Sequence, residues 1–304
     1  MGNAWAFLLA WLAARSQGGR LVMRLEDIDP QRSRPEYAAN LLEDLHWLGL
    51  DWDYGPDVGG PCGPYVQSER GAMYDGILAQ LEKAGATYPC FCTRKELRQL
   101  AAAPHLDDAG APYPGTCRNL GKEHIEAMIR SGRRASIRLR CPETPISFTD
   151  LLLGPQTFFL TDCGGNFALR RSDGVVAYQL AVAVDDALMG VTQVVRGRDI
   201  LPSTPRQIAL LHILGYGAPS YAHVPLLLDE EGERLAKRHN SLSLRHLREQ
   251  GVDPRRIVGL LGMLAGLEAS ARAVSPAELL PAFDWSRLPR QDVRLQNSHL
   301  RDLL

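Results

Sequence analysis

The sequence predicts an α/β protein: a doubly wound parallel sheet, interrupted by a mixed insertion and followed by a helical segment. Three observations predict it. A short apolar run, Leu21-Val22-Met23, lies between a Gly18-Gly19 turn and a cluster of Arg24, Glu26, Asp27 and Asp29 closed by Pro30. Such a run reads as a buried, parallel strand ending in charge. Helical patterns flank it on both sides, the order expected of a doubly wound domain. The same α/β pattern returns at Val175, beyond a stretch at 85–160 whose proline, cysteines and short strand signals break it.

In chain order, residues 4–15 are apolar at helical spacing and lead directly into the strand at Arg20. Ser33-Arg34-Pro35-Glu36 opens a second helix, with Ser33 as cap and an acid in the first turn, and Gly49 stops it. Residues 51–63, rich in Gly, Pro and Asp, predict a loop. Residues 69–83 predict an amphipathic helix with Met73, Ile77 and Leu81 on one face. Tyr88-Pro89-Cys90-Phe91-Cys92 then interrupts the pattern. Thr93 and Glu96 form a capping box for a short helix, and 103–119 reads as an irregular loop. Strands are expected at 135–141, 157–160 and 166–171, the last ending at the Ser172-Asp173-Gly174 turn. Ser203-Thr204-Pro205 caps a helix running to Leu214-Gly215. After Asp253 a final helix carries Ile257, Leu260, Leu261 and Leu264 as its apolar set. The organisation is thus 1–84 and 161–245 as two halves of the α/β body, 85–160 as the insertion, and 246–304 as the helical C-terminal segment.

With 304 residues the chain has room for a substantial core, and 45% apolar with 23% charged residues is ordinary globular composition. The net charge of −1 gives no basic field, so any RNA contact must come from local arginine clusters. Lysine occurs only at positions 83, 95, 122 and 237, which makes each one informative beside abundant arginine. Six unevenly spaced cysteines without a secretory leader imply reduced thiols. The first helix lacks a basic n-region and is too short to span a bilayer, and Ala6 stands where a myristoylation motif wants Ser or Thr. A cytoplasmic protein is expected.

Three constellations can carry chemistry. The charged end of the first strand lies where open α/β sheets bind ligands, and its arginine with carboxylates suits a substrate bearing both an amine and an acid. The plainer alternative is a solvated strand end. A buried run from Val224 meets an acidic turn and a loop holding Lys237, Arg238 and His239. Three cations at a sheet edge suit a polyphosphate, whose charge grows on the leaving group; a solvated basic loop is the alternative. Cys90-x-Cys92, with Cys117 after 24 intervening residues, can make three corners of a tetrahedral zinc site, although buried free cysteines are common. On chemical grounds His105 is a candidate fourth ligand.

Together these motifs resemble the class I aminoacyl-tRNA synthetases of the glutamyl type. Arg24-Leu-Glu-Asp-Ile-Asp29 is similar to that family's signature strand end, and Arg234-Leu-Ala-Lys-Arg238 to its KMSKS-type loop. Val194-Val-Arg196-Gly-Arg-Asp199 with Ser203, Thr204 and Gln207 resembles its substrate-carboxylate segment, and Tyr178 matches a pocket tyrosine. The likeness covers about residues 1–245. It implies a Rossmann-like catalytic domain with a zinc-binding insertion. It further implies Glu26 near the glutamate amino group, Arg196 and Tyr178 around its carboxylates, and Lys237 on the ATP phosphates with Mg²⁺. Ala236 replaces the usual serine. Tyr113, in Tyr-Pro-Gly-Thr-Cys117, resembles the fourth zinc ligand of a short subfamily that acts on the queuosine base of tRNA(Asp). One zinc per chain, held by Cys90, Cys92, Tyr113 and Cys117, is the implied cofactor.

Lys237 stands only 67 positions before the end of the 304-residue chain, too few for the helical anticodon-gripping domains of a full-length family member. The expected function is therefore ATP-dependent activation of glutamate and its transfer to queuosine in tRNA(Asp), by a monomer without membrane contact. The alternatives are a truncated synthetase charging a tRNA 3′ end and a non-catalytic RNA-binding remnant. Family members begin with a strand and a His-x-Gly turn, of which only Gly2-Asn3-Ala4 remains here. A first strand buries roughly four large apolar side chains at about 1.5–3 kcal/mol each. The chain as written is accordingly expected to be unstable or inactive, with a misassigned start codon. Phosphate contacts to tRNA are expected at Arg118 and Arg255-Arg256.

Overall fold

The computed structural model describes residues 1–31, 33–93, 95–97, 113–235, 243–301 and 303. Helix α1 (Gly2–Arg15) is buried on most sides through Trp5, Leu8, Leu9, Trp11 and Leu12, and both indoles find acceptors. Trp5 Nε1 donates to the Pro225 carbonyl at 2.7 Å, and Trp11 Nε1 to Asp51 Oδ1 at 2.7 Å. Helices α2 (Pro35–Trp47) and α3 (Gly71–Lys83) follow, the latter entered through a 3₁₀ turn at Gln67–Arg70. Next come β1 (Thr87–Cys90), α4 (Lys122–Arg130), β2 (Ser136–Leu139), β3 (Ile146–Asp150), β4 (Gly154–Phe158) and β5 (Ala168–Arg170). Helix α5 (Tyr178–Leu188), β6 (Gln193–Gly197), α6 (Thr204–Ile213), β7 (Ser220–Val224) and β8 (Leu227–Leu228) complete the middle of the chain. The remainder holds α7 (Leu244–Glu249), α8 (Pro254–Leu264), α9 (Pro276–Leu279), β9 (Val293–Arg294) and α10 (Asn297–Arg301).

The central sheet has the order β4-β3-β7-β6. Strands β6 and β7 run parallel with Arg196 opposite His223, β3 joins β7 in parallel at Asp150, and β4 is antiparallel to β3. A second sheet, β1-β2-β5, is antiparallel, and β8 pairs with β9 in parallel. Pairings therefore cross residue 160: β3 and β4 lie with β6 and β7, whereas β5 lies with β1 and β2. The α/β class and its parallel pairs agree with the sequence reading. One apolar cluster joins α1, Met23, Leu45 and Leu227 to Ile257, Leu261 and Leu279 of the C-terminal helices. The other joins Tyr74 and Leu81 to Leu139, Leu180, Leu210 and Tyr221.

Several local expectations are corrected. Residues 21–25 form no ladder among the described residues. Val22 bridges Tyr54 and Leu25 bridges Val66, both in parallel and both on one side, while the other side faces a cavity. Met23 N–H donates to the Tyr54 carbonyl at 2.7 Å and Leu25 N–H to that of Tyr65 at 2.9 Å. Arg34, not Ser33, caps α2, because Pro35 at the first helical position holds its predecessor extended (φ −126°, ψ 136°). In α3 the buried face is Tyr74, Ile77, Leu78 and Leu81, and Met73 is 39% exposed. That stripe is set by Tyr74, whose hydroxyl donates to Asp185 at 2.9 Å. Pro89 does not prevent β1, which is the edge strand of its sheet and can spare an N–H. The strand expected at 157–160 begins earlier, at Gly154, as half of a hairpin with β3. The Thr93–Glu96 capping box is present, both reciprocal hydrogen bonds being made.

Candidate active site

Between α1, residues 19–26 and β6 lies a cavity of about 1150 Å³. Pockets for single small ligands run roughly 300–1,000 Å³, so there is room for an amino acid and a nucleotide side by side. Glu26, Tyr178 and Arg196 all line it. The resemblance implied one pocket for these three residues, which span 170 positions of chain, and the fold brings all three to this cavity. Tyr178 begins α5, Arg196 lies on β6, and Glu26 ends the extended run after Met23. Arg234 and Leu235, at the start of the basic loop, also line the cavity, and Arg234 pairs with Asp199 at 2.7 Å. Ala236, Lys237, Arg238 and His239 lie outside the described residues, as does His105.

Arg24 organises the carboxylate side. Its Nη1 donates to Asp186 Oδ1 at 2.8 Å and its Nη2 to Glu26 Oε1 at 3.0 Å. Loss of hydration pushes the Glu26 carboxyl up, opposed by the Arg24 charge, and the same two influences act in that order on Asp186. Lost hydration and the nearby Glu26 charge push the Tyr178 hydroxyl up to about 12, so it remains a proton donor at neutral pH. Behind this wall Asp185 is wholly buried. It accepts from Arg70 Nε at 2.6 Å, Gln67 Nε2 at 2.8 Å and the Tyr74 hydroxyl at 2.9 Å. The pair Asp185-Asp186 in an otherwise apolar helix was the available signal for this network, and sequence reasoning passed over it.

Arg196 is held from behind. Its Nη2 donates to Thr204 Oγ1 at 2.7 Å, its Nε to His223 Nε2 at 3.3 Å, and its guanidinium lies 5.3 Å from the centre of the Tyr221 ring. Ser203 is the N-cap residue of α6, as expected, but its side chain makes no cap hydrogen bond: its hydroxyl accepts from Gln179 Nε2 at 2.8 Å and from Arg206 Nη2 at 3.3 Å. Gln207, grouped with this segment from the sequence, donates to Gln179 at 3.1 Å and sits one layer behind the pocket.

The cysteine cluster forms a separate centre. Sulfur atoms of Cys90, Cys92 and Cys117 lie within 4.8 Å of one another, with Cys92 and Cys117 3.7 Å apart. Zn–S bonds of about 2.3 Å at tetrahedral angles place sulfurs about 3.8 Å apart, so the trio is compatible with zinc. Tyr113 is the fourth polar group: its hydroxyl lies 3.4 Å from Cys90 Sγ and accepts from the Cys117 N–H at 2.7 Å. Arg138 stacks over the Tyr113 ring at 3.9 Å. Burial, together with the neighbouring Cys90 and Cys117, pushes the Cys92 thiol up to about 12. A neutral thiol at Cys92 needs no metal beside its neighbours, and a bound cation is what would favour the thiolate form. All six cysteines are free, as their spacing implied.

Comparison with known proteins follows the same lines. The family model "tRNA synthetases class I (E and Q), catalytic domain" matches residues 1–301. A glutamyl-Q tRNA(Asp) synthetase of Nitratidesulfovibrio vulgaris is 59% identical over 289 residues, covering 95% of this chain and 89% of the relative. One from Symbiobacterium thermophilum is 52% identical over 296 residues, covering 97% and 91%. The crystal structure of a glutamate-tRNA synthetase from Elizabethkingia anophelis superposes with a TM-score of 0.84 at 28% identity. That superposition covers 99% of this chain, which spans about two thirds (66%) of the solved one.

Proposed function

The chain belongs to the class I tRNA synthetases of the glutamate and glutamine type, and we propose that it activates glutamate with ATP and transfers it to the queuosine base of tRNA(Asp). The observation that carries this reading is the identity of 59% to a glutamyl-Q tRNA(Asp) synthetase, maintained over 95% of the chain. The pocket supplies the chemistry. Arg196 offers a planar fork to a glutamate carboxylate, Tyr178 a hydroxyl, and Glu26 a negative charge for the ammonium. The glutamate α-carboxylate attacks the α-phosphate, displaces pyrophosphate and leaves glutamyl-adenylate; a ring hydroxyl of queuosine then attacks the acyl carbon, giving up its proton as the ester forms and AMP departs. Positioning and phosphate electrostatics carry the rate, with Lys237 on the phosphates. Mg²⁺ on those phosphates would add charge neutralisation.

Zinc belongs to the same proposal, held by Cys90, Cys92, Cys117 and Tyr113 as a structural ion that fixes the β1–β2 region. Metal-replete protein should carry about one zinc equivalent, lost in Cys92→Ala. A full equivalent in that variant would remove the site as drawn. The tRNA is read by shape and charge, with Arg118 and Arg255-Arg256 on its phosphates. Arg255 is engaged with Glu278 at 2.8 Å, an exposed pair that costs little to exchange for a phosphate. A monomer working in the cytoplasm completes the reading; among the described residues no helix is long and apolar enough to cross a membrane.

The test uses radiolabelled glutamate with tRNA(Asp) from strains that do or do not make queuosine, and with tRNA(Glu). Label is expected only on queuosine-containing tRNA(Asp), at a level that falls with added salt. Label on tRNA(Glu), or on tRNA(Asp) without queuosine, would move the assignment to charging of a tRNA 3′ end. A second arm lengthens the chain ahead of Met1 with a strand-forming segment, since β6 ends its sheet and residues 21–25 pair on one side only. Activation in the lengthened form alone would show that a strand must fill the cavity first. Activation in neither would leave a non-catalytic protein.

A further inference from the structure

Behind Arg196 lies a buried polar chain that none of the proposed substrates touches. Asp150, at the end of β3, is 1% exposed, while His223 on β7 and Thr204 at the start of α6 are 0% exposed. His223 Nδ1 is 2.6 Å from Asp150 Oδ2, and the His223 backbone N–H donates to the same oxygen at 3.1 Å. The N–H groups of Leu152 and Leu153 donate to Asp150 Oδ1 at 3.0 and 2.9 Å. On the other side of the ring, His223 Nε2 is 2.8 Å from Thr204 Oγ1.

Hydrogen-bond inventory fixes the protons. Arginine can only donate, so the Arg196 Nε–H aimed at His223 Nε2 requires that nitrogen to be a bare acceptor. Asp150 accepts three backbone N–H groups, so His223 Nδ1 carries the proton it receives. Thr204 then accepts from Arg196 Nη2 on its oxygen and gives its own proton to His223 Nε2, whose single lone pair is shared between that nearer O–H and the more distant Arg196 Nε–H. Each group has a role in one direction, running from Arg196 to Asp150. We propose that Asp150, His223 and Thr204 are positioning residues that lock the Arg196 guanidinium in the plane that receives the glutamate carboxylate. This rests on Arg196 being the carboxylate's partner.

The surroundings agree. Burial and the neighbouring Arg196 charge hold the His223 imidazole below its usual range against the pull of Asp150, and Asp199 adds a weaker upward influence. Tyr221 and Phe148 are the rings beside it, at centroid distances of 6.1 and 6.5 Å. Burial also raises the Asp150 carboxyl, but the hydrogen bonds from His223 and the backbone outweigh it and hold the group below the usual carboxylate range. An imidazolium here would face Arg196 across 3.3 Å and remove the acceptor that the Arg196 Nε–H needs. Register does the placing: β6 and β7 pair Arg196 with His223, and only a residue at that position can brace the guanidinium from the adjoining strand.

Pyrophosphate exchange, run in whichever form of the protein, as written or lengthened ahead of Met1, activates glutamate, separates the possibilities. Thr204→Val keeps the shape and removes the hydroxyl, His223→Gln keeps an acceptor at the Nε2 position, and His223→Leu removes it. Thr204→Val and His223→Leu should raise the glutamate KM by about tenfold or more, the scale of one charge-assisted hydrogen bond, with ATP KM and kcat nearly unchanged. His223→Gln should recover most of the loss. Nitrogen NMR of histidine-labelled protein, which needs no turnover, should show His223 protonated at Nδ1 only from about pH 6 to about pH 8. An imidazolium at neutral pH, or unchanged glutamate KM in both Thr204→Val and His223→Leu, would overturn the proposal. Arg196→Lys is the control. If it too leaves the glutamate KM unchanged, the assignment of Arg196 fails; if it alone raises the KM, only the bracing role fails.

Discussion

Asp185→Asn should destabilise the protein by about 3–5 kcal/mol, the scale for removing one partner of a buried ion pair. Asp185 is 0% exposed and Arg70 is 1% exposed, so neither can turn to water when the other is lost. The substitution keeps the shape but strands the Arg70 guanidinium, whose Nε lies 2.6 Å from the carboxylate. Gln67 and Tyr74 lose a charged acceptor at the same time. The Tyr74 hydroxyl does not compensate by ionising, because burial, the larger of the influences that push its pKa upward, persists once the carboxylate is gone. Urea unfolding should show a lower midpoint with the same slope. Arg70→Met in the Asp185→Asn background should recover part of the loss, since the Arg70 charge is then no longer buried without its partner. A single variant within about 0.5 kcal/mol of the parent would mean that the pair is not what holds this region. The network matters beyond stability. It ties the 3₁₀ turn and α3 to α5, the helix that begins at Tyr178, and its neighbour Asp186 holds Arg24 against Glu26.

The second large effect concerns Arg196→Lys. A guanidinium presents parallel donors that match a carboxylate, whereas an ammonium is a point charge on a flexible stem. Lysine at this position also cannot reproduce the bonds to Thr204 and His223 together. The glutamate KM in pyrophosphate exchange should rise about tenfold to a hundredfold, the range for one to two charge-assisted hydrogen bonds, while the ATP KM stays within about twofold. An unchanged glutamate KM would place the carboxylate elsewhere in the cavity. A rise in both constants would indicate a collapsed pocket, and the unfolding midpoint would register that directly.

How far the sequence reached can be seen at single residues. The short-range signals were sufficient for α1, for the stop of α2 at Gly49 (φ 80°), for the Thr93–Glu96 box and for the cysteines. Each depends on residues a few positions apart or on side-chain chemistry that needs few alternatives. Glu26, Tyr178 and Arg196 were singled out because their motifs carry a resemblance, and all three line the same cavity. What the sequence by itself determined was therefore the α/β class, helices α1, α2, α3, α6 and α8, and a cysteine trio compatible with zinc.

Tertiary structure alone decided the partners. Arg24 meets Asp186 across 162 positions, and His223 meets Asp150 across 73. Periodicity reports which face of an element is buried, not what buries it, so nothing local distinguishes these pairs from others of the same charge. Met73 and Tyr74 are adjacent on α3, and only the distant Asp185 carboxylate turns Tyr74 inward and leaves Met73 exposed. Strand β1 survives Pro89 because its sheet ends there, a property of the sheet and not of Tyr-Pro-Cys. Residues 21–25 read as a paired strand but among the described residues pair on one side only, because what lies along a strand's second edge is decided by packing elsewhere in the chain. Non-local pairing is fixed by which loops close and which surfaces can be buried together, and that information exists only once the whole chain is packed.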